Sequence, residues 1–114
     1  MAKKKSRTAL DKLKTAYDFL NDNYFDGKIK CQIKFDKIKD DGVSDFSSKD
    51  GKKIIKITND FKTHPDAAAI VLLHEMVHVK LMSEGYIDLH KGHGLRFHAE
   101  IDRLYKQGAY GELL

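Results

Sequence analysis

The sequence predicts an α+β domain in which three helices pack on a small, about three-stranded antiparallel sheet. Three observations predict this class: apolar residues recur at helical spacing near the N-terminus, alternate with polar residues further on, and run almost continuously after Pro65. With 114 residues, 41% hydrophobic and 33% charged, the chain has the composition of one soluble domain. We expect residues 8–114 to form this domain and residues 1–7 to be a basic flexible tail.

The first helix is predicted over about residues 8–22. Its apolar residues follow steps of three and four and form one stripe, which comprises Leu10, Leu13, Tyr17, Leu20 and Tyr24. Thr8 and Asp11 have the spacing of a capping box, in which each side chain bonds to the backbone of the other residue. The helix is therefore expected to begin at Thr8.

Three strands are predicted after this helix, over residues 29–35, 43–47 and 53–58. The first has apolar residues at every second position, the second is weak, and the third is rich in β-branched residues. Short segments with Asp and Gly, residues 40–42 and 50–51, separate the strands and are typical of turns. Such short connections favour an antiparallel meander.

The second helix is predicted over residues 65–83, with Pro65 at its first position and Gly85 beyond its end. It is apolar on most sides, so we expect it to run through the centre of the domain. A last helix ends near Gly108, and its predicted buried face comprises Phe97, Ile101, Leu104 and Tyr105.

The central helix contains the motif His74-Glu75-Met76-Val77-His78. Two histidines four residues apart project from one helix face, so both imidazoles can reach a single ion. Glu75 lies beside them and can accept a proton from a water at the ion. Because polar side chains are costly on an apolar helix unless they are satisfied, the motif indicates a zinc site with a general base.

A catalytic zinc needs a third protein ligand and an open position. The candidates downstream are His90, His93, His98 and Glu100. His93 lies between two glycines, which allow close approach of the backbone, whereas Glu100 would complete a site with two histidines and one carboxylate. Spacing alone leaves this choice open.

The sequence resembles the SprT-like (Spartan-type) metalloproteases. The similarity rests on the motif above, on Gly92-His93-Gly94 followed by Phe97, and on Leu20-Asn21 with the segment Tyr24 to Ile29. The resemblance implies His74, His78 and His93 as zinc ligands, Glu75 as general base and a zincin-like core around a central active-site helix. It also places Glu100 on the helix surface. The sequence carries a minimal form of this pattern without a zinc ribbon, and Leu95 stands where relatives often have Pro.

We therefore expect an endopeptidase with one catalytic Zn²⁺, in which a metal-activated water hydrolyses the peptide bond. Three residues could supply a second donor to the oxyanion: Tyr86, His98 and Tyr105. The alternative is a zinc-stabilised, non-catalytic module that binds protein or nucleic acid, with His90 or His98 closing the metal sphere. A third possibility is a metal-dependent nuclease, for which Asp88 and Asp102 alone give thin support.

The net charge of +4 and the pI of about 9.1 allow contact with nucleic acid without requiring it. A weak contact would use six lysines: Lys3, Lys4, Lys5, Lys28, Lys30 and Lys34. The same lysines could equally form a solvated face. The single cysteine excludes an internal disulfide and a four-cysteine zinc site. We expect a cytoplasmic monomer that acts on proteins or peptides and does not contact membranes. Through its lysines it could associate with the nucleoid and act on proteins bound to DNA.

Overall fold

The computed structural model describes residues 8–39, 42–50, 52–85, 95–109 and 111. It contains three α-helices and three strands within these ranges. In chain order they are α1 (Ala9–Tyr24), β1 (Gln32–Asp36), β2 (Ser44–Lys49), β3 (Lys52–Thr58), α2 (Pro65–Ser83) and α3 (Leu95–Lys106). A 3-10 helix that the sequence did not predict, Asn59–Thr63, joins β3 to α2. The predicted α+β class and the order of its elements are thus confirmed.

The predicted cap of α1 is confirmed. The Thr8 hydroxyl accepts a hydrogen bond from the Asp11 backbone N–H at 3.0 Å, and the Asp11 carboxylate accepts one from the Thr8 N–H at 3.2 Å. Of the predicted apolar stripe, Leu13 and Leu20 are buried. The α1 helix therefore presents its stripe to the core, as its spacing indicates.

A polar clamp fixes the connection from α1 to β1. The Asn21 side chain donates to the Ile29 carbonyl at 2.8 Å and accepts from the Ile29 N–H at 2.9 Å. The Tyr17 hydroxyl also donates to this carbonyl at 2.9 Å, and it accepts from the Cys31 N–H at 3.0 Å. Because the loop backbone has side chains as partners, it can be buried before β1 begins.

The sheet is mixed, and the expectation of an antiparallel meander is wrong. Its strand order is β1-β3-β2, with β1 parallel to β3 and β2 antiparallel to β3. The parallel pairing brings Ile33 beside Ile55 and Phe35 beside Ile57, so the apolar residues of the two strands share one face. The β-branched β3 is the central strand, and β1 and the more polar β2 form the two edges, where one side of a strand tolerates solvent.

The α2 helix lies at the centre of the core, as expected. Four of its apolar side chains, Leu72, Leu73, Met76 and Val77, have no exposed surface, and the apolar face of the sheet and α1 pack around them. The predicted buried face of α3 is only partly right. Phe97 and Leu104 are buried, whereas Tyr105 is 71% exposed. No helix among the described residues is long and apolar enough to cross a membrane.

Candidate functional site

The motif residues lie on the second half of α2, where the helix is otherwise buried. Pro65 stands at the first helical position, and the helix continues without interruption through His74, Glu75 and His78. Glu75 and His78 are each only 8% exposed, and His74 is half-buried. Ionisable side chains in such an apolar setting indicate a site, because they are stable there only with compensating partners.

The two imidazoles converge on one point. The Nε2 atoms of His74 and His78 are 3.2 Å apart. Two nitrogen ligands of a tetrahedral zinc ion, each at about 2.0–2.1 Å, stand about 3.3 Å from each other. The observed separation therefore fits a pair of ligands to one ion. It equally allows a hydrogen bond between the two rings when one Nε2 carries a proton.

Phe97 of α3 forms one wall of the motif. Its buried ring lies 4.9 Å from the His74 ring in an edge-on arrangement and 4.6 Å from the His78 ring, tilted by 31°. Aromatic contacts of this kind restrict the orientation of a ring. The start of α3 is thereby joined to the histidine pair on α2.

Glu75 receives a hydrogen bond that the sequence did not predict. The Ser44 hydroxyl donates to Glu75 Oε2 at 2.6 Å, across 31 residues of sequence. Ser44 is the first residue of β2, and it lies on the same face of that strand as Phe46. The alternation of Ser44 with Phe46 was a weak signal that this serine points towards the helices.

The prediction that Glu100 lies on the helix surface is wrong, because this residue is only 7% exposed. Its carboxylate accepts hydrogen bonds from Arg103 Nε at 2.9 Å, from Arg103 Nη2, and from Lys80 Nζ at 3.3 Å. Burial acts to raise the pKa of Glu100, but the bonds and charges of Arg103 and Lys80 outweigh it and hold the pKa below its ordinary value. Arg103 also donates to the Tyr24 carbonyl at 2.9 Å, so the cluster ties α3 to α2 and to the end of α1.

The described residues bring together only part of the predicted site. Within those ranges, no group of three or more His, Cys, Asp or Glu side chains is placed to hold a metal ion. His98 and Asp102 are exposed, and Asp102 forms an ion pair with Lys106 at 2.9 Å. The other predicted candidates lie outside the described residues: His90, His93, Tyr86 and Asp88. The assignment of His93 as third ligand thus stays a prediction.

A solved structure has a similar fold. The metallopeptidase zymogen jannalysin of Methanocaldococcus jannaschii matches with a TM-score of 0.55 over 99% of this chain and 89% of that chain, at 16% sequence identity. Neither a protein-family model nor a curated protein matches the chain. The likeness confirms an α+β fold of zincin-like type, with three helices and a three-stranded mixed sheet. The SprT-like resemblance and the roles of individual residues stay predictions.

Proposed function

We propose that this protein is a zinc-dependent endopeptidase of SprT-like type, in which His74, His78 and His93 bind one Zn²⁺ and Glu75 is the general base. The observation that carries the proposal is the 3.2 Å separation of the His74 and His78 Nε2 atoms beside a buried glutamate on the central helix. A fold similar to that of a metallopeptidase zymogen supports it. The third ligand rests on the sequence, in which His93 precedes Phe97 by four residues, and Phe97 contacts both histidine rings.

In the proposed reaction the ion would polarise the reacting groups, and the protein would transfer the proton. When bound, Zn²⁺ supplies Lewis-acid polarisation and lowers the pKa of a water molecule to about 7. Glu75 accepts a proton from the water whose oxygen attacks the carbonyl carbon of the peptide. Glu75 then passes that proton to the amide nitrogen as the C–N bond breaks. The products are a carboxylate and an amine.

The edge of the sheet offers a place for an extended peptide. Among the described residues, β2 pairs with β3 on one side and with no strand on the other. A peptide can add to such an edge through main-chain hydrogen bonds, with little dependence on its sequence. Ser44 at the start of β2 contacts Glu75, so a peptide on this edge would pass close to the proposed base.

The proposal extends to proteins bound to DNA through the basic surface. Lys28, Lys30 and Lys34 are exposed, and Lys34 lies 3.5 Å from Asp36, which offsets part of its charge. Lys3, Lys4 and Lys5 lie outside the described residues. A contact of this kind would be weak and would depend on salt, because it relies on neutralising phosphates.

The test replaces the proposed base by its neutral amide. We expect Glu75→Gln to retain one zinc per chain and to lose cleavage of casein and histone, because the amide cannot accept the proton. Metal content is measured by elemental analysis, and cleavage is measured with and without single-stranded DNA. Stimulation of histone cleavage by DNA would support the extension to proteins bound to DNA.

Glu84→Gln is the matched control. Glu84 lies just beyond the end of α2 and its side chain is 45% exposed, so the same change there should leave cleavage as it is. Full turnover by Glu75→Gln would refute the proposal. Stoichiometric zinc in a wild-type protein that cleaves no peptide would instead support the non-catalytic binding module.

A further inference from the structure

We infer that Ser44 is a positioning residue, which holds the Glu75 carboxylate in the orientation that proton transfer requires. The inference rests on the proposed function and adds to it a residue from the sheet. Ser44 lies outside the motif that runs from His74 to His78, 31 positions before Glu75 in the sequence.

Ser44 has apolar neighbours in the sheet, so its hydroxyl gains from a polar partner. In the register of the sheet, Ser44 lies opposite Ile57, which has no exposed surface, and Ile57 lies opposite Phe35. Ser44 is thus a hydroxyl in an apolar row of the face that packs on the helices. Ser44 is half-buried there, and a hydroxyl that is partly withdrawn from water gains from a hydrogen bond, for which Glu75 Oε2 is the acceptor.

The geometry of the bond is that of a strong, charge-assisted interaction. Its length of 2.6 Å falls within the 2.5–2.7 Å typical of an O–H donor to a carboxylate. The serine hydroxyl donates, and Glu75 Oε2 accepts. One carboxylate oxygen is thereby fixed, and rotation of the carboxylate plane is restricted.

The backbone that carries Ser44 is itself held in place. The carbonyl of Val43 accepts a hydrogen bond from the Thr58 N–H at 2.9 Å, and the pairing of β2 with β3 begins at Ser44. A donor on a paired strand is placed more accurately than one on a loop. Since a displacement of about 1 Å in a reacting group can lower a rate about a hundredfold, such a donor can influence the rate without contacting substrate.

The kinetic test compares three serine variants. We expect Ser44→Ala to lower kcat about 10–100-fold, the usual cost of losing a partner that orients a catalytic group, while KM changes less than about twofold. Ser44→Thr keeps the hydroxyl and a strand-compatible side chain, and it should restore most of kcat. Ser47→Ala is the matched control, because Ser47 lies on the same strand but on the opposite face. An unchanged kcat in Ser44→Ala would overturn the inference.

A second readout does not use activity. Unfolding by urea is measured for the metal-free wild type, Ser44→Ala, Glu75→Ala and the double variant. We expect a coupling of about tenfold in the unfolding equilibrium constant, because a hydrogen bond to a charged group is lost only once in the double variant. Strictly additive effects would overturn the contact.

The two measurements distinguish a failure of the proposed function from a failure of the inference about Ser44. Full activity of Glu75→Gln would refute the proposed function, whereas the coupling between Ser44 and Glu75 is measured on metal-free protein and does not depend on peptidase activity. Coupling in the unfolding data together with an unchanged kcat in Ser44→Ala would show a structural contact and overturn the positioning role.

Discussion

Phe97 contacts the rings of both histidines that we propose as zinc ligands on α2. Its ring is 5% exposed and lies within 5 Å of each imidazole, measured between ring centroids at 4.9 and 4.6 Å. A ligand ring that is held in one orientation binds a metal ion at a smaller loss of side-chain entropy. The affinity for zinc should therefore depend on a residue that is not a ligand.

We expect Phe97→Leu to weaken zinc binding about tenfold, as is usual when a group that supports a ligand is changed. Leucine keeps the site apolar and limits the loss of stability. Affinity is measured by competition with a chromophoric chelator. Phe19→Leu is the control, because that ring is 40% exposed and packs on Tyr24. Equal zinc affinity in Phe97→Leu and the wild type would contradict the role of Phe97.

At this scale the sequence predicted the residues whose chemistry is local. His74 and His78 are four residues apart, so their spacing alone indicates a shared helix face, and Glu75 follows His74 directly. Ser44 could not be found in the same way, because its contact with Glu75 depends on how the sheet docks on α2. The SprT-like resemblance placed Glu100 on the helix surface, whereas its ion pairs with Arg103 and Lys80 make its burial tolerable.

Among the elements, the bounds of the helices were more predictable than the pairing of the strands. The predicted range of α2 matches Pro65–Ser83, because Pro65 and Gly85 mark its ends. The parallel pairing of β1 with β3 was not predicted, because short turns favour neighbouring antiparallel strands. The observed pairing puts Ile33 of β1 beside Ile55 of β3 on the apolar face that packs on α2, a contact distant in sequence that turn patterns do not reveal.

An ion-pair cluster around Glu100 links α3 to α2 and to the end of α1. Lys80 comes from α2, Arg103 comes from α3, and Arg103 reaches the carbonyl of Tyr24 at the end of α1. Since the folded-state pKa of Glu100 lies below its ordinary value of 4.5, its charged form stabilises the fold. This contribution is complete above the ordinary value and is lost as the pH falls through the lower, folded-state pKa.

We therefore expect Glu100→Gln to lower the free energy of unfolding at pH 7 by about 1.5–3 kcal/mol, the range for a hydrogen bond to a charged group. The difference from the wild type should shrink as the pH falls from 4.5 through the lower, folded-state pKa of Glu100, because the unfolded chain and then the folded carboxylate take up a proton. Urea unfolding of both proteins over a series of pH values measures this difference in the free energy of unfolding. Glu84→Gln removes an exposed partner of the same Lys80 and should change stability by less than about 1 kcal/mol. A difference that persists unchanged at acidic pH would contradict this account.

At the scale of the whole molecule, the apolar core formed by the described residues does not include the side chains of His74 and His78. It joins α1, the sheet, α2 and α3 through buried aliphatic and aromatic side chains. A domain with such a core can fold without metal, in contrast to small zinc modules whose folding depends on the ion. Zinc bound to the histidines of α2 would then add stability to a protein that is already folded.

The expected outcome is a metal-free protein with a cooperative thermal transition that shifts upward on addition of zinc. At a free zinc concentration 100 times the dissociation constant, the added stability is about 2.7 kcal/mol, which corresponds to a rise of roughly 10 °C for a domain of this size. His78→Ala should abolish most of the shift. His64→Ala should preserve it, because His64 is exposed at the start of α2 and makes no capping hydrogen bond there with its side chain. Scanning calorimetry with and without a chelator measures the shift, and an equal response of His78→Ala and the wild type would show that zinc binds elsewhere.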